Sequence, residues 1–102
     1  MAVHAEISVI PITGSSSMGE QVAAAFDAIS RTEGIKATLT PIGTQIEAAD
    51  IDAVLNAIKA AHGAARAAGV ARIISSIRID QRMDKDQTLE DKIRSVNSKL
   101  GR

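Results

Sequence analysis

The order strand, helix, strand occurs twice along this chain, and that repetition narrows the possible folds more than any other feature. Residues 3 to 10 alternate, with Val3, Ala5, Ile7 and Val9 pointing one way and His4, Glu6, Ser8 and Ile10 the other. This is the period of two expected of a strand with two different faces. The strand ends at Pro11 to Gly14. After a serine run, Ser17-Met18-Gly19-Glu20 fits the capping box of a helix start, and Val22, Phe26 and Ile29 recur at helical spacing up to a stop at Gly34. Ile35 to Ala48 reads as two short strands around the turn Pro41-Ile42-Gly43-Thr44. Asp50 caps a second helix, in which Ile51, Val54, Leu55, Ile58, His62 and Ala65 form one stripe before Gly69. Val70 to Arg82 is an Ile-rich strand. Thr88-Leu89-Glu90-Asp91 opens a last helix with the narrow stripe Leu89, Ile93, Val96 and Leu100. The order β-α-β-β-α-β with right-handed crossovers predicts an α+β, ferredoxin-like sandwich: a four-stranded antiparallel sheet, two helices on one face and an extra C-terminal helix.

Composition removes several function classes. A chain of 102 residues is one domain, residues 1–102, on length alone. Twelve Lys and Arg balance twelve Asp and Glu, so the basic field of a nucleic-acid binder is missing. Without cysteine there are no disulfides, iron–sulfur clusters, thiolate zinc sites or thiol catalysis, and no metallochaperone Cys pair. Phe26 is the only aromatic residue, which excludes an aromatic cage and the base-stacking platform of an RNA-recognition sheet. No apolar run approaches a membrane span and no signal-peptide pattern is present, so the expected location is the cytoplasm, with no membrane or nucleic-acid partner.

The sheet face away from the helices draws attention. It is expected to carry Glu6, Ser8, Ile10, Thr38, Thr40, Gln45, Glu47, Ile74, Ser76, Arg78 and Asp80, opposite a helix-covered face of Ile7, Val9, Leu39, Ile46, Ile73, Ile77 and Ile79. Exposed Ile10 and Ile74, together with the last helix's stripe, argue for a subunit interface with a polar pocket in it. Glu47 on such a face requires a donor, with Arg78 or another subunit as the partner. Asp80 and Arg82 read as an ion-pair ladder across strands. Gly14-Ser15-Ser16-Ser17 lacks the lysine and second glycine of a P-loop and reads as a flexible turn. His4 and His62 have no ligands at metal spacing; His62 reads as a packed, hydrogen-bonded histidine.

Thr40-Pro41-Ile42-Gly43-Thr44-Gln45-Ile46-Glu47-Ala48 resembles the PxGTxIEG-like signature of the small thiamine-binding-protein family. Ile77 to Arg82, Asp84-Lys85 and Thr88 to Val96 resemble its C-terminal portion, and Val9 to Ile12 with the serine loop its N-terminal portion. Ala48 stands where a glycine is frequent in the family. The resemblance implies a ferredoxin-like homotetramer, built as a dimer of dimers, that binds thiamine or its hydroxymethylpyrimidine half without catalysis, as carrier, buffer or sensor. No cofactor beyond that ligand and no metal is implied. The expected ligand residues are Glu47 as anchor of the aminopyrimidine, Gly43 and Thr44 as pocket wall, and Thr38, Ser8 and Arg78 around them. A carboxylate accepts from the exocyclic amine or binds a protonated ring nitrogen, and Gly43 lets backbone approach closely. The alternatives are a small-molecule-sensing regulatory module of oligomeric sheets, or an enzyme acting on a pyrimidine with Glu47 as acid or base.

Overall fold

A computed structural model describes all 102 residues. In chain order it holds β1 (Val3–Ile12), α1 (Gly19–Ser30), β2 (Ile35–Leu39), β3 (Thr44–Ala48), α2 (Ile51–Ala67), β4 (Arg72–Asp80) and α3 (Leu89–Lys99). The strands form one sheet in the order β2-β3-β1-β4, with every neighbouring pair antiparallel. This is the ferredoxin-like α+β arrangement, with α3 appended.

Pairing register assigns the faces. Ala5 lies opposite Ile46 on one side and Ile79 on the other, and Ile7 opposite Thr44 and Ile77, so these residues share the helix-covered face. The other face carries three rows: Lys36, Glu47, His4 and Asp80; then Thr38, Gln45, Glu6 and Arg78; then Ser8 and Ser76. Ile10 with Ile74 and Ile12 with Arg72 complete it.

The core is a cluster of twelve buried apolar residues, led by Val3, Ile7, Ile29, Ile46 and Val54. The helix side of α2 differs from the expected stripe. Val54, Ala57, Ala61 and Ala65 are buried, whereas Ile51 and Leu55 are exposed. Where α2 comes closest to the sheet only small side chains fit, so alanines take the core positions and the larger residues move to its flank. That flank lies over β4, where His62 Nδ1 meets Ser75 Oγ at 2.7 Å, the packed and hydrogen-bonded histidine expected. Ile77 and Ile79, on the helix-covered face by register, remain exposed because they lie on the outer strand, which α2 meets at Ser75.

Local signals are used unevenly. Asp50 caps α2 by accepting from the Ala53 N–H at 2.8 Å. Asp50→Ala is expected to cost about 1 kcal/mol, read as a lower urea midpoint with an unchanged slope. The Ser17–Glu20 box does not form; α1 starts at Gly19 from Met18, which makes no side-chain cap, and the Ser15 and Ser17 backbone amides bond instead within the preceding turn. At α3 the box is complete: the Asp91 N–H donates to Thr88 Oγ1 at 3.0 Å and the Thr88 N–H to Asp91 Oδ2 at 2.9 Å. Strand β4 is shorter than the expected Val70 to Arg82.

Candidate functional site

The β2–β3 hairpin is fixed by Thr40. Its backbone N–H donates to the Gly43 carbonyl at 2.8 Å, its hydroxyl donates to the same oxygen at 2.7 Å, and that hydroxyl accepts from the Gly43 N–H at 3.1 Å. Gly43 is required for close approach. A Cβ there would sit 3.0 Å from the Ile7 carbonyl oxygen of the neighbouring strand. Its φ is not positive, so the close approach and not the backbone angle is what selects this glycine.

The hairpin ends while β1 continues. Pairing with β3 stops at Ile7 opposite Thr44, but pairing with β4 runs on to Ile12. In the space where β3 would have continued lies a cleft of about 130 Å³. Ile7 to Ile10 form its back, Met18, Val22, Ala25 and Ile29 of the α1 region its roof, and Leu39 to Thr44 its rim. Thr44 is buried on this side, 5% exposed. None of the lining residues is charged. Of its polar residues, Thr44 shares the face of Ile7, whereas the Ser8 side chain belongs to the other face by register and the Thr40 hydroxyl is taken up by Gly43.

At the opposite end of the sheet, Glu47 holds the start of α3. Its Oε1 accepts from the Leu89 N–H at 2.7 Å, an N-terminal amide that the helix itself leaves free. His4, which is 5% exposed, points its Nε2 at the same oxygen from 3.2 Å without a well-aligned hydrogen bond. The Glu47 side chain keeps 17% of its surface exposed. Two further ion pairs hold α3: Lys92 with Asp80, and Lys36 with Glu90 at 3.4 Å. Arg82 pairs with Asp84 in its own loop, Nε to Oδ1 at 2.7 Å. Asp80 and Arg82 therefore do not form the expected cross-strand ladder, because α3 and the loop supply closer partners. Beside α3 a recess of about 170 Å³ is lined by His4, Glu6, Gln45, Arg78, Asp80 and Lys92 among others.

The six residues expected at the ligand are thus divided. Ser8, Gly43 and Thr44 line the cleft. Arg78 lines the recess on the other face. Glu47 lies under the start of α3, and Thr38 is exposed on β2 between these places. Glu47 is three positions after Thr44, and an odd spacing on a strand sends side chains to opposite faces.

The sequence profile described as thiamine-binding protein matches residues 5–97. The chain belongs to the thiamine-binding protein family. A UPF0045 protein of Methanothermobacter thermautotrophicus is 39% identical over 99 residues, covering 96% of this chain and 99% of its own length. The UPF0045 protein YqgV of Bacillus subtilis is 42% identical, with 94% and 95% covered. Among solved structures, a hypothetical protein from Methanocaldococcus jannaschii superposes with a TM-score of 0.85 at 33% identity, covering 94% of this chain and 96% of that one. No helix of this family member is long and apolar enough to cross a membrane.

In this thiamine-binding family member, the chemistry at α3 is electrostatic and open to solvent. The hydrogen bond and charge of Lys92 hold the Asp80 carboxyl below the usual aspartate range, and the Thr88 backbone N–H does the same for Asp91. Hydrogen bonding to Arg82 lowers Asp84 as well, and that contact raises Arg82. Folded values below unfolded ones mean that the stabilisation is present above the unfolded value and disappears as pH falls through the folded ones. Since no residue of α3 is buried, acid is expected to release α3 before the core melts. Helical ellipticity would fall in a separate step below about pH 4. A single transition that also melts the sheet contradicts this order.

His4 is the residue that reading the sequence missed. It lies far from Glu47 along the chain, and only the β1–β3 register sets them side by side.

Proposed function

We propose that this protein binds thiamine, or its hydroxymethylpyrimidine half, without turning it over, and that the pyrimidine ring enters the cleft between α1 and the end of the hairpin. The observation that carries this reading is the size and lining of that cleft. A cavity of about 150 Å³ accepts one benzene ring, so about 130 Å³ suits a single ring and leaves the rest of the vitamin outside. Apolar walls cover the ring faces, while the Thr44 hydroxyl meets its polar edge. With no cation in the lining, a diphosphate finds no counter-charge there.

A second reading has one observation in its favour. The recess on the other face carries Glu6, Asp80 and Arg78, and part of the Glu47 carboxylate remains open to solvent. Glu47, Arg78 and Thr38 would then meet the cationic vitamin at a junction between subunits. In either reading the protein works as a homo-oligomer, a tetramer assembled as a dimer of dimers. Ile10, Ile12 and Ile74 on the sheet, the outer edge of β4, and Ile93, Val96 and Leu100 on α3 are the apolar surfaces available for it.

Calorimetric titration tests the binding. Hydroxymethylpyrimidine and thiamine are expected to saturate one site per chain, with thiamine diphosphate weaker and all three recovered unchanged. Absence of heat with all three ligands, or accumulation of a product, would overturn the reading.

A further inference from the structure

The cleft has a recognition element that no side chain supplies. In a strand, the backbone N–H and C=O of one residue point to the same edge, and those of the residues two before and two after point there too. The Ile7 carbonyl faces Gly43, since a Cβ on that glycine would lie 3.0 Å from its oxygen. Val9 therefore turns its own N–H and C=O to the same side, one step beyond the last β1–β3 pair. No backbone hydrogen bond joins Val9 to the hairpin tip at residues 40–43. Val9 lines the cleft and is only 8% exposed, so its N–H and C=O are polar groups in an apolar cavity with no strand to satisfy them.

Pro11 defines how large the opening is. It has the same orientation as Val9, and with no N–H it has nothing to donate to an added strand. The free edge is consequently one residue long. Gly43 and Ile7 close it on one side and Pro11 on the other, which suits a small ring and not a peptide strand or the edge of a second copy.

The geometry points to Val9 as the residue that reads the ligand: its N–H donates to a ring nitrogen, and its C=O accepts from the amine on the adjoining carbon. The ligand class is then an uncharged planar heterocycle with an acceptor and a donor side by side, and an aminopyrimidine is one such ring. This inference rests on placing the ligand in the cleft, and it makes the peptide backbone, not Glu47, the polar contact that fixes the ring.

The test uses the full chain, labelled with nitrogen-15, and two probes: hydroxymethylpyrimidine and the same compound without its exocyclic amine. With the first, the Val9 amide proton is expected to move downfield and its exchange to slow at least tenfold. The second probe is expected to bind about tenfold to hundredfold more weakly. Equal affinity for the two probes with an unmoved Val9 amide, while Thr44 and Met18 signals still shift, overturns the backbone contact and leaves the cleft as the site. Saturable binding that shifts neither Thr44 nor Met18 removes the cleft and the Val9 contact together.

Discussion

Ile93→Asp with Val96→Asp in α3 is expected to dissociate the assembly to monomers while each chain stays folded. Both expectations start from the exposure of this stripe on the single chain. Ile93 is 61% exposed and Val96 57% exposed on the single chain, so neither supports its core, and an aspartate at either position meets water in the monomer. In an oligomer that covers this stripe, the same carboxylates would be buried without partners, at several kcal/mol each. The helix itself should tolerate the change, because its cap and its docking use Thr88, Asp91, Lys92 and the Leu89 N–H, all on other positions. Sedimentation of the native chain at micromolar concentration is expected to show a tetramer, and of the double variant a species at least twofold smaller with an unchanged circular dichroism spectrum. A native monomer, or a variant that sediments like the native chain, would sink the proposed use of α3.

What was legible in the sequence is what depends on local repetition or on a short-range cap. The alternation from Val3 to Ile10 gave both faces of β1 correctly, and Thr88 with Asp91 gave the start of α3. The Ser17–Glu20 pair had the same appearance and formed no box, because the serine amides are taken up in the turn before α1. Of the expected α2 stripe, Val54 and Ala65 are buried, but Ile51 and Leu55 are not, because closeness to the sheet selects alanines at Ala57 and Ala61. At the site the limit is different in kind. Glu47, His4 and Leu89 meet only through pairing register and the path of the last loop, and neither is written in spacing. Thr44 and Glu47, by contrast, were separable in advance, since their odd spacing on one strand already puts them on opposite faces. A backbone contact at Val9 leaves no side-chain signal at all. Its traces are the proline two residues on and the glycine that lets the hairpin end close against β1.

Glu47 separates the two readings of the ligand site, provided its structural role is measured first. Glu47→Ala is expected to destabilise the chain by about 3 kcal/mol, because it takes away the charged acceptor of the Leu89 N–H and the carboxylate that faces the buried His4 Nε2. For a domain near this size that lowers the melting temperature by roughly 12–24 °C. Glu47→Gln keeps the volume and an acceptor oxygen for Leu89, so its cost is about 1 kcal/mol and it is the variant suited to binding measurements. If the ring lies in the cleft, Glu47→Gln binds thiamine and hydroxymethylpyrimidine within about twofold of the native protein, because the carboxylate is three strand residues away, about 10 Å. A carboxylate that instead receives the amine or a protonated ring nitrogen loses a charge-assisted hydrogen bond in the same variant, and affinity drops about tenfold to hundredfold. In that case Arg78→Ala should weaken binding only while Glu47 is present, because a cation beside a cationic vitamin helps only by orienting the acid between them, and the double-mutant cycle would show coupling. An unchanged affinity in a folded, oligomeric Glu47→Gln protein assigns the residue to holding α3, where its oxygen already meets the first helical amide.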